Sequence, residues 1–301
     1  MPVEQLSENN LWRRAAIIQA IRLFFVEREF LEVETPVRLP CLAPETHIEP
    51  IRSVDWFLQT SPELCMKRLL AAGHPKVFQI CKCFRAQERG KHHLPEFTML
   101  EWYHVGSNYL QLMDDCEQLF RFLMKRLALQ FTSGGLFAVD TPWERVTVAD
   151  AFSQYAPIAS DAALAENVFD EILVEDVEPH LGINVPTFLY DYPADLGSLA
   201  RLKKDDNSIA ERFELYVDGI ELANGFSELT DSTEQRLRFE KEQKSCREHG
   251  EIPGPMPERF LKELDFLSSA AGIALGIDRL VMLLCGAEKI DDVVSFTPED
   301  L

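Results

Sequence analysis

Apolar positions recur at helical spacing over residues 11–29. Leu11, Ala15, Ile18, Ile21 and Phe25 share one face, while Arg13, Arg14, Arg22 and Glu29 fall elsewhere. The period then changes. Phe30-Leu31-Glu32-Val33-Glu34-Thr35-Pro36 alternates apolar and polar residues as a strand does, and ends at a proline. Ser61-Pro62-Glu63 opens a second helix, with proline early and an acid in the first turn, which stops at Gly73. Residues 77–85 and 96–103 read as two strands joined by a long charged loop. Residues 109–129 form a strongly amphipathic helix, whereas 131–180 carry weak periodicity and read as short helices and loops. We take roughly 105–185 as a helical insertion or lobe packed on a sheet. A short strand follows at 186–192. Over 209–222, Phe213, Leu215 and Val217 alternate, Asp218-Gly219 makes a two-residue turn, and Ile220-Glu221-Leu222 returns. Next come a charged helix at 232–248 and a proline-bounded loop at 253–257. A glycine-rich strand then runs into a buried helix at 270–284.

Antiparallel strands mixed with helices, without regular βαβ alternation, imply the α+β class: a central antiparallel sheet flanked by helices, in one domain over residues 1–301. Neither G-x-G-x-x-G nor G-x-x-x-x-G-K-[ST] occurs, so a nucleotide site here is neither a Rossmann crevice nor a P-loop.

Charge narrows the function classes. Thirty basic and 50 acidic side chains leave a formal charge of −20, a field that repels polyanions and is a poor start for a nucleic-acid partner, leaving only a local basic groove open to one. Residues 1–10 are polar and hold no apolar signal core. The longest apolar candidate for a membrane span, 270–285, is broken by Gly272, Gly276, Asp278 and Arg279. Seven scattered cysteines fit free thiols in a reducing cytoplasm, and Cys81-Lys82-Cys83 reads as two buried strand thiols rather than half a zinc site.

Four segments carry candidate chemistry. Arg85 ends a strand, where it can fix a phosphate, and the loop to Phe97 can hold a purine ring. In the 209–222 hairpin, an unbroken register places Glu214 diagonal to Glu221 on one face. Such a pair is either a solvated face or a Mg²⁺ site that also uses nucleotide phosphates; the polar cluster that follows, ending at Glu228, favours the metal. Glu228, after a Gly-Phe-Ser bend, can receive a substrate ammonium or can serve as a helix N-terminal acid. Arg279, inside the apolar run 272–280, needs a partner: Asp278 or a ligand. Together with Arg85 and the hairpin acids, the ligand is the better account.

In order along the chain, these segments resemble the three signature motifs of class II aminoacyl-tRNA synthetases, and most closely the lysine-type catalytic domain. Residues 30–36 are similar to the first motif, 84–102 to the second and 272–280 to the third. Glu221-Leu222-Ala223-Asn224-Gly225-Phe226-Ser227-Glu228 resembles the lysine-enzyme signature that precedes the third. A lysine-type core whose first-motif helix begins near Leu11 leaves no room for an anticodon-binding domain, and so resembles the elongation factor P lysine ligases.

The resemblance implies ATP and Mg²⁺ as cofactors, lysine or β-lysine as substrate, elongation factor P as acceptor, and a homodimer built on the first motif; no tRNA partner is expected, which the acidic balance fits. It implies that Arg85 contacts the α-phosphate and Arg279 the γ-phosphate, both as catalytic groups. The remaining ATP wall would comprise Ala86, Gln87, Glu88, His93, Leu94, Phe97, Glu221, Leu222, Asn224 and Gly276, with Phe97 stacked on adenine. Glu214 and Glu221 would hold the metal. Ser61, Pro62, Glu63, Glu101, Tyr103, Glu228 and Ala274 would line the amino-acid pocket, with Glu228 taking the side-chain amine. Gln87 stands where the family pattern has glutamate, with Glu88 one residue on; a one-residue shift of the loop would restore the carboxylate. Ser61 and Ala274 stand where tRNA-charging lysine enzymes tend to carry alanine and glycine, which bears on the choice between α- and β-lysine. Competing readings are a truncated enzyme that charges tRNA and a non-catalytic amino-acid sensor.

Overall fold

The computed structural model describes residues 8–46, 48–127, 141–250 and 252–301. The polar start at 1–7, the expected helix end at 128–129 and the first ten residues of the weakly periodic stretch, 131–140, lie outside the described residues.

An eight-stranded sheet runs in the order β1-β5-β6-β11-β10-β9-β8-β7. Its strands are β1 (Leu31–Glu32), β5 (Lys76–Phe84), β6 (Glu96–Val105), β7 (Glu144–Thr147), β8 (Thr187–Pro193), β9 (Ile209–Val217), β10 (Ile220–Ser227) and β11 (Ala270–Gly276). The six central strands pair antiparallel, as expected. Both edges are parallel instead: β1 on β5 and β7 on β8. Parallel neighbours need a crossover, and each edge has one. Between β1 and β5 lie a second sheet, β2 (Arg38–Leu39), β4 (Trp56–Leu58) and β3 (Arg52–Ser53), and helix α2 (Glu63–Ala71). Between β7 and β8 lie α4 (Val148–Tyr155), α5 (Ser160–Ala165) and α6 (Phe169–Ile172).

Alternation along β6 decides which residues meet the core and which meet the open face. Leu100 and Trp102 face α1 (Glu8–Val26), α3 (Tyr109–Leu127) and α9 (Ile277–Cys285) in the largest apolar cluster, which also takes Ile21, Phe25, Leu119 and Leu280. On the opposite face, Tyr103 packs with Met66 and Leu70 of α2 and with Phe239 of α7 (Ser232–Glu248) and Phe260 of α8 (Glu258–Leu264). The region expected as one helical lobe divides. Helix α3 belongs to the main core, while α4–α6 gather Phe152, Phe169 and Val177 into their own cluster against β8 and β9.

The hairpin turn at Asp218-Gly219 has φ of +53° and +70°, the left-handed pair that a two-residue turn requires. Val217–Ile220 and Tyr216–Glu221 pair as the turn dictates. A bulge between Glu221 and Ala223 then shifts the register, so Asn224 rather than Ala223 opposes Glu214.

Candidate functional site

The open face of the sheet holds a cavity of about 490 Å³. Its floor follows from three small residues at alternate positions of β11: Gly272 opposes Tyr103, Ala274 opposes Glu101 and Gly276 opposes Met99. A Cβ built on Gly272 would stand 2.1 Å from the Tyr103 ring and 2.5 Å from Glu228 Oε1. Only glycine lets those two side chains come so close to β11 at that point.

At one end the cavity is cationic. Arg85 lies just past β5 with its guanidinium 5.1 Å above the Phe97 ring. Its Nε is buried without a hydrogen-bond partner, and its nearest acid, Glu88, is 3.5 Å away. Arg279, on the first turn of α9, donates to the backbone oxygens of Glu221 at 2.7 Å and His92 at 3.2 Å, and to His93 Nε2 at 2.6 Å. Burial and the Arg279 charge hold His93 below the usual imidazole range. The Arg279–Asp278 pair allowed by the sequence does not form. Asp278 is taken by Arg14 of α1 at 2.6 Å and by the Thr98 amide at 2.6 Å, which leaves Arg279 turned to the cavity. Beside it the loop between β5 and β6 is pinned outward by Arg89, which bridges Asp291 and Glu299.

The other end is acidic. Glu101 is 1% exposed and accepts hydrogen bonds from Ser61 and Tyr103, each at 2.7 Å. Burial first, then the neighbouring Glu63, pushes its carboxyl up to about 8. Glu228 is equally buried; burial raises its carboxyl to about 8 against the pull of Lys67. Lys67 lies wholly inside, bridging Glu63 at 2.5 Å and Glu228. Glu228 Oε1, beside Gly272, has no hydrogen-bond partner among the described residues.

These shifts set a direction with pH. A carboxyl raised from 4.5 to about 8 on folding contributes stability that is complete below about 4.5 and is lost as pH climbs through about 8. Thermal unfolding of the ligand-free protein is therefore expected to fall in midpoint between pH 5 and pH 9; a midpoint that rises across that window would contradict the burial of Glu101.

Most residues singled out from the sequence converge on this cavity: Ser61, Glu63, Arg85, Glu88, His93, Leu94, Phe97, Glu101, Tyr103, Glu221, Leu222, Asn224, Ala274, Gly276 and Arg279. Five do not line it. Gln87 adopts φ +62° and turns out to bond Glu49 at 2.7 Å, so Glu88 is the acid in the wall. The Ala86 amide is tied to the Glu49 oxygen at 2.8 Å. Pro62 caps α2. Glu228 stands behind Gly272. Glu214 lies deeper, its oxygens already met by Arg212 at 2.6 Å, Asn224 at 3.3 Å, Tyr192 at 2.5 Å and Tyr216 at 2.7 Å.

The donor set tests the fit of a divalent cation. Glu221 fits: its carboxylate is 38% exposed at the wall, and its nearest charge is Arg279 at 3.5 Å. Its carboxyl is raised by burial and by the Glu214 charge. Glu214 can add only an oxygen it already shares. No group of three or more His, Cys, Asp or Glu gathers into a metal cage among the described residues. Cys81 and Cys83 lie side by side at 4.0 Å as thiols.

Sequence reasoning missed Lys67, Arg212 and Arg14. Lys67 had a signal: Glu63, Met66, Lys67 and Leu70 form one helical face, so a lysine sits on the buried stripe of α2. Arg212 and Arg14 had none, because their partners are set by the bulge and by a contact between α1 and α9.

Comparison with known proteins agrees with this arrangement. Residues 2–300 match the family model described as tRNA synthetases class II (D, K and N). A protein of Salmonella gallinarum named elongation factor P–(R)-β-lysine ligase is 40% identical over 96% of this chain and 94% of its own length. Proteins of the same name from Proteus mirabilis and Klebsiella pneumoniae are each 39% identical, over 95% and 96% of this chain and 94% of their own length. With the six-stranded antiparallel centre, the strand-end arginine and the glycine-rich strand running into α9 all in place, the chain belongs to the class II tRNA synthetases of the D, K and N type.

Proposed function

We propose that the chain activates lysine or a β-lysine with ATP and passes the aminoacyl group to a lysine side chain of elongation factor P. One observation carries the reading: a single cavity joins guanidinium groups at one end to desolvated acids at the other. ATP use accords with the family, and the acceptor with the name its relatives bear.

The substrate's side-chain ammonium enters the acidic end, against Glu101 and Glu63 in the wall and toward the unpartnered Glu228 Oε1 behind Gly272. That seating points its carboxylate back toward Arg85. The carboxylate attacks the α-phosphorus and pyrophosphate departs. Charge building on the phosphoryl oxygens meets Arg85, whose free Nε has no protein bond to break first. Arg279 answers the leaving phosphates and Phe97 the adenine. Bound Mg²⁺ would supply further charge for the triphosphate, held by Glu221 with Glu214 behind it.

Two further features bear on assembly and compartment. Exposed Trp12, Val26, Leu31 and Val37, on and just after α1, suit a homodimer interface. Seven free thiols suit a reducing compartment such as the cytoplasm. No helix among the described residues is long and apolar enough to cross a membrane.

Two measurements test the activity: pyrophosphate exchange dependent on each lysine isomer, and the mass of elongation factor P after incubation with the protein, ATP and that isomer. Exchange with a matching mass gain is expected. Exchange without a gain removes the acceptor, and labelled tRNA in its place would mark the tRNA-charging alternative. Absence of exchange with every isomer removes the activation step and leaves a sensor.

A further inference from the structure

The transfer step needs a group that the reading above does not supply. The acceptor amine arrives as an ammonium, and it must lose a proton before it can attack. Among the acids of the cavity wall, Glu63 bridges Lys67, Glu101 accepts from Ser61 and Tyr103, Glu242 holds Thr46, Asp278 holds Arg14, Glu88 and Glu221 face Arg85 and Arg279 at 3.5 Å each, and Asp195 approaches Lys241 at 3.6 Å. Glu45 is different. It lines the main cavity and also a small adjoining one, and no hydrogen bond or ion pair engages its carboxylate among the described residues.

Its position is fixed from both sides. Thr46 is clasped by Glu242 of α7, through its amide at 3.1 Å and its hydroxyl at 2.6 Å. Glu49 receives the Ala86 amide at 2.8 Å and the Gln87 side chain at 2.7 Å. The loop carrying Glu45 is thus stapled between α7 and the residues just after Arg85. The charges that face its carboxylate are Glu63 on α2, Arg85 past β5, Glu242 on α7 and Arg212 on β9. Glu45 therefore opens onto the same cavity as Arg85 of the phosphate end and Glu63 of the ammonium end, the cavity that would hold an aminoacyl-adenylate.

We propose that Glu45 is the proton acceptor for the incoming amine, an inference that rests on the activity proposed above. The ammonium gives one proton to the Glu45 carboxylate. The freed amine nitrogen attacks the acyl carbon, and a C–N bond forms. The C–O bond to AMP breaks, its electron pair leaves with AMP, and the second amine proton passes to water. Glu45 then returns its proton to solvent through the open mouth. Burial, reinforced by Glu63 and opposed by Arg85, sets its carboxyl at about 7, so it is ionised in part near neutrality and binds a proton without holding it.

The test separates the two half-reactions. Glu45→Gln and Glu45→Asp are compared with the parent in pyrophosphate exchange and in single-turnover transfer from preformed aminoacyl-adenylate to elongation factor P, from pH 5.5 to pH 9. For Glu45→Gln, transfer is expected to fall about 10²-fold further than exchange. The rise of the parent's transfer rate through pH 7 should vanish in that variant and persist in Glu45→Asp. If both half-reactions fall by the same factor, or transfer keeps its rise through pH 7 without the carboxylate, Glu45 is not the acceptor. A parent that shows no exchange overturns the activity itself, and this inference with it.

Discussion

Arg85→Ala is expected to lower lysine-dependent pyrophosphate exchange by about two to three orders of magnitude, the usual cost of one preorganised donor to a developing oxyanion. Its folding midpoint should barely move. The reason lies in what Arg85 does not do. Among the described residues it makes no close ion pair, only a 3.5 Å approach to Glu88, and its Nε donates to nothing. The packing it loses is one face of Phe97. An arginine so little used by the fold and so enclosed is held ready for an anion. Arg85→Lys should recover little of the loss, since an ammonium cannot present the planar fork. Loss of stability in step with loss of exchange would reassign Arg85 to the scaffold.

Lys67→Met is expected to act in the opposite sense, on stability first. Removing one partner of a buried ionic group costs about 3–5 kcal/mol, because the remaining charge has neither water nor counter-ion. Here two acids depend on one ammonium that is 1% exposed. Burial already raises the Glu228 carboxyl, and Lys67 is what opposes it. Without Lys67 the carboxyl rises further. The variant's deficit should therefore be smallest near pH 5, where a protonated Glu228 needs no cation, and widen toward pH 9. Denaturant unfolding at the two pH values measures this. A deficit that does not depend on pH would mean that Lys67 contributes packing alone.

Legibility in the sequence followed the range of the forces involved. The 209–222 hairpin could be read because Asp218-Gly219 supplies the left-handed turn locally, and because Phe213, Leu215 and Val217 alternate; its return strand runs on to Ser227, so Gly225-Phe226-Ser227 is strand and not the bend expected there. Helix α2 could be read because Pro62, Glu63 and Gly73 punctuate it. The bulge that brings Asn224 opposite Glu214 could not, since it depends on the fit of β10 between β9 and β11. Nor could the parallel edges: β1 and β7 are short, and only the crossovers behind them set their direction. Within the site, residues named for their own motif came together, whereas side chains set by distant neighbours did not announce themselves. Arg14 reaches Asp278 across 264 positions, and Gln87 was turned outward by Glu49.

The missing side chain at position 272 has a consequence for how the binding pocket can change over time. Its depth is measured by a hydrogen atom, not by a group that can be trimmed or exchanged. Every substitution there adds at least a methyl, and a methyl already collides with an aromatic ring and a carboxylate. No conservative neighbour exists in the genetic code, so a lineage can retune the walls residue by residue while the length of molecule it accepts stays locked.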